Sequence, residues 1–444
     1  MRRRLLLITF FFPPIGGVTV PRMLGAVLHL PAHGWEATVL TPRGSAYHLQ
    51  DPGLEAAIPP GTRVVRTGII EPAGMRRFVS RALKRGSAPG SATRDAARPT
   101  FRTGRMERIR RTLFFPDDQL LWLPFALVAA LREHRRRPLS AILSSSSPVT
   151  AHLAGGLLAR SLRLPWVAEF RDPWVGNPLA HRLPWFHRQL QRRLERWIVS
   201  NAARCVFVTP SLTAMYQRRY PAIKDRFVTV TNGYDLAIGG LDGPAADAGD
   251  AAPPVRGPGD PVTLLYAGTY DRPLELEIFL EGLRRYDAQR GGGPRVHVEF
   301  VGHASDACLG VVAGATDLAD LVTVSGYVAR EVALRRVAAA DGALLLLGTG
   351  PDMGLFIGGK LYDYIGMSRP LLAMLPAGDA RQLLEGLRWG SLAWPEADSV
   401  CDAIKRFVAS TSGGGVADPN GLYERGAIVA RLAVVLDEAT EASP

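Results

Sequence analysis

Lysine is scarce in this chain: four stand against 49 arginines in 444 residues. Wherever a lysine is used, a local reason is worth seeking. Cysteine is scarcer still, and Cys205, Cys308 and Cys401 lie far apart with no metal-ligand spacing. That excludes a disulfide framework and a zinc site and fits reduced thiols. Long apolar runs are missing too. Leu5–Phe12 covers eight residues and ends at Pro13-Pro14, too short for a membrane span and with no small-residue cleavage site behind it. The expectation is a buried first strand in a cytoplasmic protein. Also lacking is the G-x-G-x-x-G fingerprint of dinucleotide binding, since "PIGGVTV" follows the first strand-like run.

What is present suits a globular chain of two ordinary domains: 47% of residues are hydrophobic and 21% charged. The net charge of +12 is unevenly placed, with +19 over residues 1–260 and −7 over residues 261–444. Arg76 to Arg137 alone carries +11. One reading is a solvated loop in an arginine-favouring composition. The other is peripheral contact with an anionic membrane, on the inner face of the cell membrane, where each basic residue adds about 1 kcal/mol. Nucleic acid is not expected, because the segment lacks a binding motif and regularly spaced aromatics.

Strand-like runs alternate with helical patterns. "RLLLITFF", "WEATVLTP", "SAILSSSS", "PWVAEF", "CVFVTP" and "RFVTV" come first, with a helix near Val18–His33 and a serine-rich turn expected to cap a helix beginning near Pro148. Residues 238–260, rich in Gly, Ala, Pro and Asp without periodicity, read as a linker. The rhythm then restarts with "VTLLYAG", "VHVEFVG", "VTVSGYV", "GALLLLG" and "PLLAML". This βαβ alternation predicts an α/β protein: residues 1–237 as one parallel-sheet domain, 261–424 as a second, and a C-terminal helix near 425–444 packing back on the first.

Open parallel sheets bind ligands beyond the carboxyl ends of their strands, so the following loops are where chemistry is sought. Gly16-Gly17 could bring backbone amides to a phosphate or sugar, or could simply form a tight turn. "IGGKLYDYIGMSRPLLAML", residues 357–375, is more telling. Its glycines leave amides open at the start of a helix over Lys360–Met367. Lys360 sits where positive charge opposes the helix dipole, which an anion would remedy. Asp363, one turn on, suits two vicinal hydroxyls such as a ribose offers. The plain alternative is a surface Lys360–Asp363 ion pair. Asp117-Asp118 is expected to cap a helix, with no metal.

Taken together, "FPPIGG", "GWEATVLTP", "FFPDDQLLWLPFAL", "SSSSPVTAHLAG", "PWVAEFRDPW", "TNGYD", "LLYAGT", "VGH", "SGYVAREVALRRVAAADGALLLL" and "GGKLYDYIGMSRPLLA" resemble the retaining glycosyltransferases of the family-4 type, closest to the branch that builds cell-surface polysaccharide or lipid-linked saccharides. The resemblance covers nearly the whole chain except the linker and the basic loop around 76–105. It implies the GT-B architecture, two Rossmann-like domains with parallel sheets facing a central cleft. It implies a nucleotide-sugar donor, a saccharide or polyprenyl-linked acceptor, and no metal or other cofactor. Residue by residue, it implies that Gly16 and Gly17 approach the donor from the first domain. Gly358, Gly359 and Lys360 would hold the diphosphate and Asp363 the ribose. Thr269 and Arg272 would sit at the diphosphate, Gly302, Tyr327 and Val328 near the base, and Arg171 and Asp172 close to the reacting sugar. Arg171, Asp172 and Lys360 are thus the catalytic candidates.

Two departures stand out. The family's first acidic residue, eight positions before Asp363, is Leu355 here, and a familiar basic position falls at Glu275. They leave open a non-catalytic relative that keeps the fold. A nicotinamide-dependent oxidoreductase would share the α/β layout, against the missing fingerprint.

Overall fold

The computed structural model describes residues 2–17, 19–43, 50–70, 115–178, 184–238, 260–388, 390–410, 418 and 420–442. Most of the expected linker (239–259) and of the basic segment (71–114) lies outside them. The chain divides into two compact units. The first comprises Met1–Val208, Leu212–Val230 and Val429–Pro444; the second, Thr209–Ser211 and Thr231–Ile428.

In the first unit, seven strands form one parallel sheet in the order β3-β2-β1-β4-β5-β6-β7. They are β1 (Arg3–Thr9), β2 (Trp35–Pro42), β3 (Arg63–Thr67), β4 (Ala141–Ser146), β5 (Trp166–Phe170), β6 (Arg204–Phe207) and β7 (Phe227–Thr229). β1 is central, pairing Leu5 with Ala37 on one side and Ala141 on the other. Helices cover both faces, so Leu5–Ile8 is fully buried and reads as an unbroken apolar run, without polar alternation. Helices Leu123–Arg136, Thr150–Leu162 and Trp185–Asn201 pack around Trp122, Trp166, Phe170, Phe207 and Tyr216.

Three local readings are corrected. The first helix is α only over Val20–His29; Pro31 cannot donate to the α ladder, and Leu30–His33 tightens to a 3-10 turn. The serine-rich turn does not cap the helix Thr150–Leu162. Asp117 does so from another loop, accepting from the Thr150 amide at 2.9 Å and its hydroxyl at 2.6 Å. The helix expected over Lys360–Met367 spans Gly359–Gly366, beginning one residue before Lys360.

The second unit holds a six-stranded parallel sheet, order β10-β9-β8-β11-β12-β13. Its strands are β8 (Val262–Ala267), β9 (Val296–Val301), β10 (Val322–Ser325), β11 (Gly342–Leu346), β12 (Leu371–Met374) and β13 (Ser391–Ala393). Helices Pro273–Gln289 and Ala397–Ser410 pack against one another on one face. Gly359–Gly366 and Arg330–Ala339 contribute to the core on the other. In each sheet the chain runs outward over three strands and returns beside the first, which creates a switch point at β1/β4 and at β8/β11. Among the described residues, no helix is long and apolar enough to cross a membrane.

Candidate functional site

At the β8/β11 switch point three loops are knitted together by backbone bonds. After β8, the Tyr270 amide donates to His303 O at 3.0 Å, and the Ser305 amide returns a bond to Tyr270 O at 3.1 Å. After β9, the Gly302 amide donates to Ser325 O and Gly326 O. Gly302 has φ +138, and a Cβ there would fall 2.3 Å from Gly268 O. Close approach of two backbones therefore demands glycine at this point. The Gly302 predicted near the base acts first as the joint between the loops.

Lys360 reaches into this cluster. Its Nζ lies 3.7 Å from the centroid of the buried Tyr266 ring, a cation–π contact. A Cβ on Gly268 (φ +123) would come within 3.1 Å of that Nζ. The Tyr266 hydroxyl donates to Thr269 O at 2.9 Å, so the ring that carries the amine also fixes the loop behind it. Loss of hydration lowers the Lys360 pKa to about 7, with Asp271 and Asp363 pulling partly the other way. The helix carrying Lys360 is pinned from below, since the Ala267 amide donates to the Tyr364 hydroxyl at 3.1 Å. Its first turn has no side-chain cap, and at Gly358 and Gly359 a Cβ would meet open space. Gly359 is exposed and Gly358 partly so, and volume alone does not require glycine at either position.

Asp363 is buried, yet it does not pair with Lys360 across the helix face. Arg330, at the start of the helix Arg330–Ala339, holds it: Nη2 donates to Oδ1 at 2.6 Å. The plain alternative of a Lys360–Asp363 surface pair is replaced by this contact, and Lys360 goes to the aromatic ring. Arg330 was not foreseen; it lies 33 positions from Asp363, and no local pattern links them. Its Nε is buried with no acceptor.

Arg272 precedes the helix Pro273–Gln289 and lies over the loop after β11, where a Cβ on Gly348 would strike its Nη1 at 2.4 Å. Glu275, where the resemblance places a basic residue, is buried. It accepts from the Thr349 amide at 2.8 Å and from its hydroxyl, and so tethers that loop. Leu355 closes the 3-10 turn Pro351–Leu355, and its carbonyl accepts from Thr209 Oγ1 at 3.0 Å. Thr269 and Gly359 are exposed, Tyr327 is 64% exposed, and Val328 packs partly against the core. The second unit thus gathers Gly268, Thr269, Arg272, Gly302, Arg330, Lys360 and Asp363 about one switch point.

In the first unit, Gly16 and Gly17 follow β1, and Gly17 has φ +116, a conformation suited to glycine. Arg171 and Asp172 follow β5. Arg171 does not bridge to its neighbour; Nε donates to Ser146 O at 2.6 Å, Nη2 to Ser147 O at 3.0 Å and Nη1 to Thr19 O at 3.4 Å. One guanidinium therefore clamps the loop after β4 to the chain that follows the glycine pair. Burial lowers the Arg171 pKa and raises that of Asp172, the latter opposed by Arg171.

Behind them lies a charged core that sequence reading missed. Glu169, fully buried on β5, takes Nε and Nη2 of Arg22 at 3.0 and 2.8 Å and the Ser145 hydroxyl at 2.8 Å. Burial alone would raise its pKa, but Arg22, Ser145 and Arg171 together outweigh burial and hold it low. His152 bonds Ser144 Oγ at 2.8 Å through Nδ1, and burial drops its pKa to about 3. Among the described residues, no cluster of His, Cys, Asp or Glu is placed to hold a metal ion.

Residues 23–238 match the family described as Glycosyltransferase Family 4. No curated relative matches in sequence. The fold is similar to that of a glycosyltransferase from Rickettsia africae, with TM-score 0.56 and 9% identity over 100% of this chain and 94% of that one. It is similar also to Anabaena HepE, solved with UDP-glucose (TM-score 0.54, 14% identity, 99% and 98% covered). A putative UDP-N-acetylglucosamine 2-epimerase from Listeria monocytogenes shares it as well (TM-score 0.53, 12% identity, 100% and 98% covered). At such identities the likeness carries the fold, two GT-B Rossmann-like units, and the matched segment carries the activity. Residues 23–238 are thus similar to a glycosyltransferase domain of the family-4 type.

Proposed function

We propose that the protein transfers a sugar from a nucleoside-diphosphate sugar to a saccharide or lipid-linked acceptor in cell-surface glycan synthesis, with retention at the anomeric carbon. The observation that carries the donor reading is the Lys360 amine, stacked on Tyr266 among three glycine-bearing loops, with the Arg330-held Asp363 one turn away. In this reading, Lys360, Arg272 and the open amides at Gly358–Lys360 face the diphosphate, with no metal or cofactor. Asp363 accepts from the ribose hydroxyls, and Tyr327, Val328 and Gly302 border the base. As the anomeric C–O bond breaks, its electron pair goes to the departing diphosphate. Fixed cations and amides aimed at that charge each contribute a few kcal/mol, on the order of 3. The acceptor oxygen bonds the anomeric carbon on the same face, and its proton passes to the leaving phosphate.

On the first unit, the clamp by Arg171 holds the Gly16-Gly17 loop and the serine loop for the sugar and acceptor, and Asp172 orients the acceptor hydroxyl. The positive first domain suits a phosphate-bearing, membrane-held acceptor.

The test is thermal stabilisation by UDP, GDP, dTDP, NAD and NADP, on wild type and Asp363→Ala. A ligand at a hundred times its dissociation constant adds about 2.7 kcal/mol. Stabilisation by one nucleoside diphosphate, lost in the variant, is expected. Stabilisation by NAD alone, or by none of the five, overturns the reading.

A further inference from the structure

Beside the β8/β11 switch point one carboxylate, Asp363, stands between two cations. Lys360 precedes it by three positions on the helix Gly359–Gly366, a spacing at which side chains of one helix face can meet. Arg330 comes from the helix Arg330–Ala339 and takes the carboxylate, Nη2 to Oδ1 at 2.6 Å, a short charge-assisted bond. The pair is sheltered, with 12% of the Asp363 side chain exposed and 31% of the Arg330 side chain, so salt screens it little. Lys360 is left to the Tyr266 ring.

Helix stability does not explain the place of Arg330. It stands in the first turn, where positive charge opposes the dipole, and the preceding Ala329 offers no side-chain cap. Its Nε is buried with no acceptor. The other arginines of the helix have acids elsewhere, Arg335 with Glu331 and Arg336 with Glu299. The bond to Asp363 is what Arg330 gains by standing there.

We infer that Arg330 is a positioning residue: by holding Asp363 it keeps the carboxylate off Lys360, so that amine and carboxylate face the donor separately. Without it the two would close on each other, and one ion pair would withhold both the partner of the diphosphate and that of the ribose. The inference rests on the transfer reading, which supplies the donor. Other groups about the amine are few. Asp271 and Arg272 come from the loop after β8, and with Tyr364 and Cys308 they act on the Tyr266 ring. Burial holds the Tyr364 hydroxyl far above neutrality, and His303, on the loop after β9, is exposed. Burial lowers the Lys360 pKa to about 7 against the pull of Asp271 and Asp363. A carboxylate in direct contact would raise it by about one unit or more.

The first arm of the test contains no donor. The full chain labelled with 13C-lysine gives four Cε signals, one for each lysine, and Lys360→Met identifies the one that matters. In wild type that signal is expected to titrate near pH 7. In Arg330→Met its midpoint should rise by about one unit or more, and Arg330→Lys should restore it. Arg330→Gln carries the same test if Arg330→Met does not melt cooperatively. Arg330→Met/Asp363→Asn should lose the rise, because the carboxylate that causes it is gone. An unmoved midpoint in the charge-removing variants, or a rise that persists in the double variant, overturns the inference. The second arm is affinity for the donor found by the melting panel. At pH 6, Arg330→Met should bind it about tenfold more weakly, the equivalent of one unit, and its loss with rising pH should begin about one unit higher. Equal affinity and an equal pH profile in both proteins also overturn it. If the titration shifts as described and no nucleotide binds, the transfer reading falls and the separation of the two charges stands.

Discussion

Lys360 should make donor binding depend on pH near neutrality. In the free protein its pKa is lowered to about 7 by burial against Tyr266. A diphosphate set beside the amine favours its charged form and pushes the pKa of the complex upward. Only the ammonium form offers the full attraction, so above pH 7 each further unit makes the binding species about tenfold rarer. That corresponds to roughly 1.4 kcal/mol per unit. Affinity is therefore expected to be level well below pH 7 and to fall about fiftyfold between pH 7 and pH 9. The sign follows from the free amine being the weak base: binding takes up a proton. The assay is titration calorimetry with a sugar ester of the nucleoside diphosphate identified by the melting panel, in buffers of different ionisation enthalpy. A diphosphate diester has no proton of its own to lose in this range. Lys360→Met should bind weakly and show no pH dependence. Level affinity in wild type from pH 7 to pH 9, without proton uptake, refutes the argument.

Two further outcomes follow from the packing. Glu169→Gln leaves Arg22 buried beside Arg171 without its counter-charge and should cost about 3–5 kcal/mol in denaturant unfolding. Arg22→Met/Glu169→Leu should recover much of that loss. Because the Glu169 pKa is held low, its contribution is complete above the unfolded carboxyl value and fades only as acid carries the pH through the folded one. Gly302→Ala forces a Cβ into Gly268 O at a positive φ. It should cost about 1–3 kcal/mol in backbone strain, plus the displacement of the Gly268 loop, and weaken nucleotide binding in the same calorimeter.

How much of this was legible varies with the range of the interaction. The strands were readable because both sheets are covered on both faces, so apolar runs such as Leu5–Ile8 mark them directly. The glycine-bearing loops were readable because parallel-sheet topology assigns function to strand ends. The partners of Lys360 and Asp363 were not readable. Tyr266 stands 94 residues before Lys360, and Arg330 meets Asp363 only because β10 and β11 lie on opposite sides of β9 and β8. The helix cap at Thr150 was misread for the same reason: four serines stood next to it in sequence, and an aspartate from another loop took the amide. Glu169 gave no signal, since a single acid in an apolar strand carries no pattern until Arg22 is seen across the fold.

The tether between Glu275 and the Thr349 amide bears on how this chain can diverge. Where the resemblance places a cation for chemistry, the chain has an acid that carries mechanical load, and the loop after β11 hangs from it. Restoring the cation by a single exchange would not recreate a relative's site. It would cut the loop's anchor and set a positive charge against an amide hydrogen. Positions 275 and 349 are thus coupled through the fold, and an exchange that installs a cation at 275 needs a new anchor for the loop as well.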